Sequence, residues 1–296
     1  MTARKTVGLI GIGLVGTGLV EILQANNYDV IGFARKETKR KELESLGGRA
    51  AASVEEVARA AERVILSLPD SSVVEEVVLG PGGLLEAGGN LRFIIDTTTG
   101  EPERTEALAR RLVERNIHLL DAPISGSSEQ IRRREGVTLI GGERAAYEAC
   151  LDLFETFSGK HYYLGRAGAG SRAKLASNLI LGLNRMVLAE GLVFAERLGL
   201  DLEAFLAMAK TTPAYSAAMD VKGQKMIRND FTPQSRITQH HKDVRIILEY
   251  AERLGLELPL ARLHKMVLEG CMAAGEGDLD TSAVIREIRR MGKLEK

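Results

Sequence analysis

Short apolar runs alternate with amphipathic stretches through the first half of the chain, whereas helical periodicity dominates the second half. Lys5–Ile10 (KTVGLI) and residues 28–34 (YDVIGFA) read as strands, each rich in β-branched or aromatic residues and ending at a turn signal. Between them an apolar-periodic stretch to Leu23 reads as a helix. The pattern continues with a helix over 38–46, a short apolar run over 49–52 and a helix led by Ser53, with Glu56 at its capping-box position. A strand over 63–68 ends at Pro69; a helix from Ser71, a glycine-rich loop, a strand over 91–96 and a helix over 101–115 come next. Strands at 118–121, 136–141 and 161–164 close the half. Such alternation predicts an α/β fold with a parallel, doubly wound sheet. From Gly168 onward the period predicts helices over 171–198, 202–210, 214–228, 238–254, 260–275 and 281–291, punctuated by Pro213, Pro233, Pro259 and a GEGD loop.

The first strand runs into Gly11-Ile12-Gly13-Leu14-Val15-Gly16 and then a helix. Strand, glycine turn and helix in that order suit a dinucleotide: Gly11 permits the tight turn, Gly13 lets backbone approach a pyrophosphate, and Gly16 lets helix and strand pack closely. The helix N-terminus offers unpaired N–H groups to phosphate. A GxGxxG string alone is weak, but its place at the first strand-to-helix junction makes it strong. Residues 1–165 are therefore expected to form a Rossmann nucleotide-binding domain, and 166–296 an all-helical substrate and oligomerisation domain joined to it by a long helix. At the tip of the second strand, where an NAD site usually carries an acid for the ribose 2′-hydroxyl, the chain reads Ala34-Arg35-Lys36, with Lys39 and Arg40 one turn on. Arg35 and Lys36 are the candidates for a 2′-phosphate, so NADP is expected over NAD. A solvated basic helix start gives the same residues a blander explanation.

Lys174 and Asn178 lie four apart in a predicted helix and so share one face. An ammonium beside a carboxamide suits carbonyl reduction, because the oxygen that gains charge needs a proton at that moment. Taken alone, such a pair on an amphipathic helix is more often solvated surface. The helix, about 28 residues and roughly 42 Å long, is expected to join the two halves, with the active site in the cleft they form. Its apolar residues on more than one face (Leu179, Ile180, Leu183, Val187, Leu188, Leu192 and Phe194) suit packing within the helical half or against another subunit, hence a homodimer or homotetramer.

The 296 residues suffice for two cores, filled by aliphatic side chains since Trp is absent. Forty basic and forty acidic residues cancel, so no bulk attraction to nucleic acid or an anionic membrane is implied. Cys150 and Cys271 lack metal-ligand spacing and are expected to be buried thiols of a cytoplasmic protein. No separate signal region precedes the first strand, and no uninterrupted apolar run approaches membrane-spanning length. The adjacent His240 and His241 point about 100° apart on a helix and cannot chelate as an i, i+4 pair. His118 and His161 lie at strand ends without partners at ligand spacing, and His264 is expected on a helix surface, so no metal is expected. Arg132-Arg133-Arg134 reads as a solvated turn.

Five motifs in order carry a resemblance over almost the whole chain. Gly11 to Gly16 matches an opening GxGxMG with Val15 for Met; Asp96-Thr97-Thr98-Thr99 with Pro102 matches DxSTxxP with Thr98 for Ser. Asp121-Ala122-Pro123-Ile124-Ser125-Gly126 matches DAPVSG, residues 170–178 contain the GxxxKxxxN helix, and His241-Lys242-Asp243 matches a late KD motif. The chain thus resembles the β-hydroxyacid dehydrogenases, which include 3-hydroxyisobutyrate dehydrogenase, tartronate semialdehyde reductase and glyoxylate or succinic semialdehyde reductases. The resemblance implies hydride transfer between a nicotinamide and a small carboxylate substrate, with Lys174 as general acid or base. It also implies Asn178 on the substrate hydroxyl or carbonyl, and Ser125 with the N–H groups of Gly126 and Ser127 on the carboxylate. Thr98 and Lys242 would border cofactor or substrate, with Leu68 and Pro69 on the cofactor side. Lys242 could be the cation that lowers the proton affinity of Lys174.

The carboxylate loop departs from the family's SGG: Ser127 replaces the second glycine, adding a hydroxyl where substrate should lie. Phe231 and the tract 211–216 with Tyr215 could line the pocket, but core packing is the favoured reading for each. Two other readings share the architecture. Imine reductases usually carry Asp or Tyr at the lysine position, and a non-catalytic NADP-binding scaffold or sensor would have no need of the lysine; the presence of Lys174 disfavours both.

Overall fold

The computed structural model describes residues 5–292. These fall into two compact units divided after Lys174. The first unit runs β1 (Lys5–Ile10), α1 (Leu14–Ala25), β2 (Tyr28–Phe33), α2 (Glu37–Ser45), β3 (Arg49–Ala50), α3 (Val54–Ala60), β4 (Arg63–Leu66), α4 (Ser71–Leu79), β5 (Phe93–Asp96), α5 (Pro102–Val113) and β6 (His118–Asp121). It continues with β7 (Ile124–Ser125), α6 (Ser128–Arg132), β8 (Val137–Gly141), α7 (Arg144–Ala149), α8 (Leu151–Phe157) and β9 (Lys160–Gly165). The sheet order is β3-β2-β1-β4-β5-β6-β8-β7, with β9 also on β8. Strands β1 to β6 are parallel in the 3-2-1-4-5-6 order of a dinucleotide-binding fold. Beyond β6 the direction reverses: β8 pairs antiparallel with β6 and β7, and β9 follows β8.

Alternate residues of the central strands feed two cores, as the two-residue period of a strand requires. Val7, Leu9, Ile65, Ile95 and Leu120 pack with α1, α6 and α8 on one face. Ile10, Val64, Leu66, Ile94 and Leu119 pack with α3, α4 and α5 on the other. Burial on both faces is why these strands read as continuous apolar runs. Ser53 caps α3 by accepting from Glu56 N–H, as its spacing predicts, whereas the Glu56 carboxylate takes the Ala52 N–H. Arg132 ends α6, and Arg133 and Arg134 follow it as an exposed turn, as expected of that run.

The second unit is helical: α9 (Ala169–Arg197), which begins in the first unit, then α10 (Leu202–Ala209), α11 (Ala217–Arg228), α12 (Ile237–Arg253), α13 (Pro259–Ala273), a 3₁₀ turn (Thr281–Ala283) and α14 (Val284–Met291). Its core gathers Met186, Ala189, Leu192, Leu206, Met226, Val244, Leu268 and Ile285. Helix α9 is, among the described residues, the one helix long and apolar enough to cross a membrane by length and composition. Its polar residues Lys174, Asn178 and Arg185 are nevertheless buried, while Ile180, Val187 and Phe194 are exposed, Val187 to 68%. That distribution reads as a core helix with an apolar outer stripe.

Candidate functional site

Strand register collects the first group of candidate residues along one edge of the sheet. Phe33, Ile10, Leu66, Asp96 and Asp121 are successive cross-strand partners at the carboxyl ends of β2, β1, β4, β5 and β6. The next residues carry the ladder outward: Ser67 N–H donates to Ile10 O, Thr97 N–H to Leu66 O and Ala122 N–H to Asp96 O. The loops bearing Arg35, Gly11–Gly16, Leu68 with Pro69, Thr98 and Ser125 therefore all leave from this edge, where open α/β sheets bind ligands.

The glycine turn fits a dinucleotide. A Cβ on Gly11 (φ +99°) would meet Ser67 O at 2.1 Å, and one on Gly16 would meet Gly11 O at 2.0 Å, so both are held by their neighbours. A Cβ on Gly13 would meet nothing within 4 Å. Helix α1 opens at Gly13 without a side-chain cap, so its first N–H groups face that open side. Thr98 is buried and accepts the Leu68 N–H through Oγ1 at 3.1 Å, tying the loops after β4 and β5 together.

At the tip of β2, Arg40 Nη1 donates to the carbonyls of Ala34 and Arg35, and Lys39 pairs with Glu42 at 2.5 Å. Arg40 thus serves the loop itself and Lys39 its own helix. Arg35 and Lys36 are exposed at the tip.

Ser125 is half-buried in β7, opposite Val137 of β8, and Gly126 is exposed beyond it. Ser127 acts differently from expectation. Its Oγ accepts from Gln130 N–H at 3.2 Å and its own N–H donates to Gln130 Oε1 at 2.9 Å, a full capping box for α6. The expected Ser127 N–H for a substrate carboxylate is thus occupied by Gln130.

Lys174 and Asn178 stand one turn apart on α9, 6% and 4% exposed, so neither is the solvated surface residue that its type would suggest. Asn178 Nδ2 donates to Asp243 Oδ2 at 2.9 Å, and Lys242 Nζ lies 3.1 Å from Asp243 Oδ1. Asp243 thus holds the amide and counters the Lys242 charge, which weakens the expected role of Lys242 as an uncompensated cation. In the sequence Asp243 stood within the KD motif, but only the neighbouring lysine was given a role. Nothing in the spacing announces a contact between residues 65 apart.

The same polar side of α9 continues to Gly182 and Arg185. Arg185 Nη2 donates to His240 Nε2 at 2.9 Å and Nη1 to Thr281 Oγ1 at 2.5 Å. Burial brings the Arg185 guanidinium down to about 10, against the opposing pull of Asp280 and Asp243. His264 is not on a surface: it is 2% exposed, its ring tilted at 45° to that of His240 with centroids 5.1 Å apart, and burial holds it down to about 3. Gly182 leaves the room, since a Cβ there would meet both imidazoles within 2.6 Å. His240 Nε2 is an acceptor from a guanidinium, and the described residues hold no group of three or more His, Cys, Asp or Glu placed for a metal. Tyr215, 49% exposed and donating to Asp220, is not a core residue, whereas Phe231 packs at the rim of the helical core.

Comparison with known proteins agrees with this construction in both halves. Residues 6–165 match the family described as the NAD binding domain of 6-phosphogluconate dehydrogenase. Residues 168–288 match the NAD-binding family of NADP-dependent 3-hydroxyisobutyrate dehydrogenase. A probable 3-hydroxyisobutyrate dehydrogenase-like protein of Arabidopsis thaliana is 32% identical over 99% of this chain and 87% of its own length. The 2-hydroxy-3-oxopropionate reductase of Escherichia coli is 30% identical over 96% and 97%, and the 2-(hydroxymethyl)glutarate dehydrogenase of Eubacterium barkeri 30% identical over 96% and 95%. Among solved structures, a 3-hydroxyisobutyrate dehydrogenase from Salmonella typhimurium superimposes with a TM-score of 0.86 at 24% identity, covering 96% of this chain and 99% of that one. A glycine turn with one open glycine, a buried lysine–asparagine pair and whole-length relatives together assign the chain to the β-hydroxyacid dehydrogenase family, as an NAD(P)-dependent oxidoreductase of the kind that acts on a CH–OH group.

Proposed function

We propose that the protein transfers hydride reversibly between NADP(H) and a small β-hydroxy acid or semialdehyde carboxylate, with Lys174 as the proton donor in reduction and acceptor in oxidation. The observation that carries the reading is the burial of Lys174 one helical turn from Asn178. A lysine taken out of water is costly to keep there without a use for it. Bound at the Gly11–Gly16 turn, the coenzyme supplies the hydride. As the carbonyl carbon gains that pair, the oxygen becomes an alkoxide and takes a proton from Lys174 Nζ. Asn178, held by Asp243 through one N–H, gives its second N–H to the same substrate oxygen. Ser125 Oγ and the Gly126 N–H bind the carboxylate. Lys242, paired with Asp243, borders the pocket. Curated relatives named for 2-(hydroxymethyl)glutarate and 2-hydroxy-3-oxopropionate support a substrate of this class.

Arg35 and Lys36, exposed at the end of β2, favour NADP. Leu68, Pro69 and Thr98 form the cofactor side of the same edge. The exposed Ile180, Val187 and Phe194 stripe supports self-association as a homodimer or homotetramer, the neutral charge balance fits a small-molecule substrate, and the free buried thiols Cys150 and Cys271 fit a cytoplasmic enzyme. The test is NADPH oxidation with a panel of semialdehydes, α-keto acids and cyclic imines. Lys174→Ala should bind NADPH normally and turn over at least about 10²-fold more slowly with the best carboxylate. Undiminished turnover would remove the acid, and a preference for cyclic imines would point to the imine reductases instead.

A further inference from the structure

The end of β6 and the start of α9 meet around one buried carboxylate. Asp121 is 1% exposed. Its Oδ1 accepts the Gly168 N–H and its Oδ2 the Ser171 N–H, both at 2.8 Å. Ser171 precedes Lys174 by three residues, so the anchored amide sits one turn below the lysine on an adjoining part of the helix surface.

The surrounding backbone is shaped for this contact. Gly141 of β8 pairs with Asp121 across the antiparallel junction, and a Cβ there would meet Asp121 Oδ1 at 2.5 Å and Ala169 N at 2.9 Å. A Cβ on Gly170 would meet Leu139 O at 2.3 Å and Asp121 O at 2.6 Å. Gly168 supplies its N–H from a left-handed conformation, φ +86°. Glycines on two elements thus bring the helix start down onto the carboxylate, whose negative charge also complements the positive end of the helix. The two oxygens hold Gly168 and Ser171, three residues apart and so along one side of the helix start, which ties that side of the first turn to the end of β6.

We propose that Asp121 is a positioning residue for the reaction: by clamping Gly168 and Ser171 it sets where Lys174 stands. This rests on the reading of Lys174 as the acid. Desolvation pushes the Asp121 carboxyl up to about 6, with the amides of Ser171 and Gly168 and the Ser171 hydroxyl pulling the other way. The charged groups on the elements around it are Asp96, its buried cross-strand partner on β5, which accepts the Thr98 N–H, Glu106 of α5, ion-paired with Arg172 of α9, and Arg166 before α9 and Lys174 itself. The clamp therefore loosens on acidification through about pH 6.

The test is Asp121→Asn, read by steady-state kinetics against pH and by amide exchange. An asparagine keeps the volume but turns one acceptor into an NH₂ group facing an N–H donor. The variant should keep its NADPH affinity within about twofold and lose turnover by roughly 10-fold to 10²-fold, as a misplacement on the order of 1 Å does. The Gly168 and Ser171 amides should exchange faster. The wild-type fall in kcat below about pH 6 should vanish in the variant, which a merely structural role would not produce. If Asp121→Asn does not fold, Gly141→Ala displaces the same carboxylate and supplies the same readings. Lys174→Ala separates the premises: should it retain turnover, the acid is wrong. If instead Lys174→Ala is inactive while Asp121→Asn turns over at the wild-type rate with both amides still protected, the positioning role alone is overturned.

Discussion

Two glycines of one turn should respond to the same substitution in opposite ways. In Gly16→Ala the new Cβ would sit 2.0 Å from Gly11 O, where an ordinary C···O approach is about 3.3 Å, so α1 and the β1 turn must separate by about 1.3 Å. Overpacking of that kind costs about 1–3 kcal/mol. The melting midpoint should fall by several degrees even without coenzyme. In Gly13→Ala the Cβ meets nothing within 4 Å and the backbone there is extended at φ −90°, so the loss of about 0.7 kcal/mol from the poorer helix cap should be largely offset by the lower entropy of the unfolded chain. That empty side is where the pyrophosphate is proposed to approach. Gly13→Ala should therefore weaken NADPH binding at least about 10-fold, or about 1.4 kcal/mol, at nearly unchanged stability. Thermal melts with and without NADPH, alongside a fluorescence titration of the coenzyme, separate the two effects. Gly13→Ala binding NADPH as tightly as the wild type would refute the placement of the phosphates over this turn.

Other perturbations follow from the site. Arg35→Ala should raise the dissociation constant for NADPH far more than that for NADH, and equal losses in competitive titrations would remove Arg35 from the 2′-phosphate. Asp243→Ala removes the acceptor of the buried Asn178 amide and the carboxylate beside the Lys242 ammonium, so a stability loss of about 1–3 kcal/mol and a fall in kcat/KM of at least about 10-fold are expected, measured by denaturant melts and kinetics. His264 stays neutral in the folded state down to about pH 3, whereas its unfolded counterpart takes a proton below 6.5. Stability should thus be lost as pH falls from 6.5 toward 3, by a few kcal/mol at the full extent. Asp121, raised from 3.8 to about 6, acts with the opposite sign across that part of the range. A melting-point series on His264→Leu isolates the histidine: its acid slope should be the shallower one, and an unchanged slope would contradict the assignment.

Much of this molecule was legible because its signals are local. The strand at Lys5–Ile10, the Gly11–Gly16 turn, Ser53 as a cap and the α9 lysine–asparagine spacing each depend on neighbours within a few residues. Strand direction leaves no such trace, so the reversal at β8 and β9 does not follow from alternation of strands and helices. The short β7, α6, α7 and α8 are too brief to show a period. Contacts across long separations were also silent: Asp121 with Ser171, Asn178 with Asp243, and Arg185 with His240. Polar residue types misled where they were internal, as with His264, whose helix position gave no hint that Gly182 had made space for it. At Ser127 the capping-box spacing to Gln130 was as local as that of Ser53 and Glu56, but the short α6 offered no helical period to attach it to.

The division of the chain falls after Lys174, inside a continuous 29-residue helix. There is no linker to cut. Grafting this nucleotide-binding half onto the helical half of a relative at the natural seam would take the lysine from one parent and the asparagine from the other, in phase on the helix but each packed by surroundings from a different parent. A chimera spliced upstream of Gly168 would transplant the pair intact but exchange the backbone that Asp121 grips. Recombination within this family is thereby confined to junctions that preserve either the pair or its anchor, and only partners already matched in both can be shuffled freely.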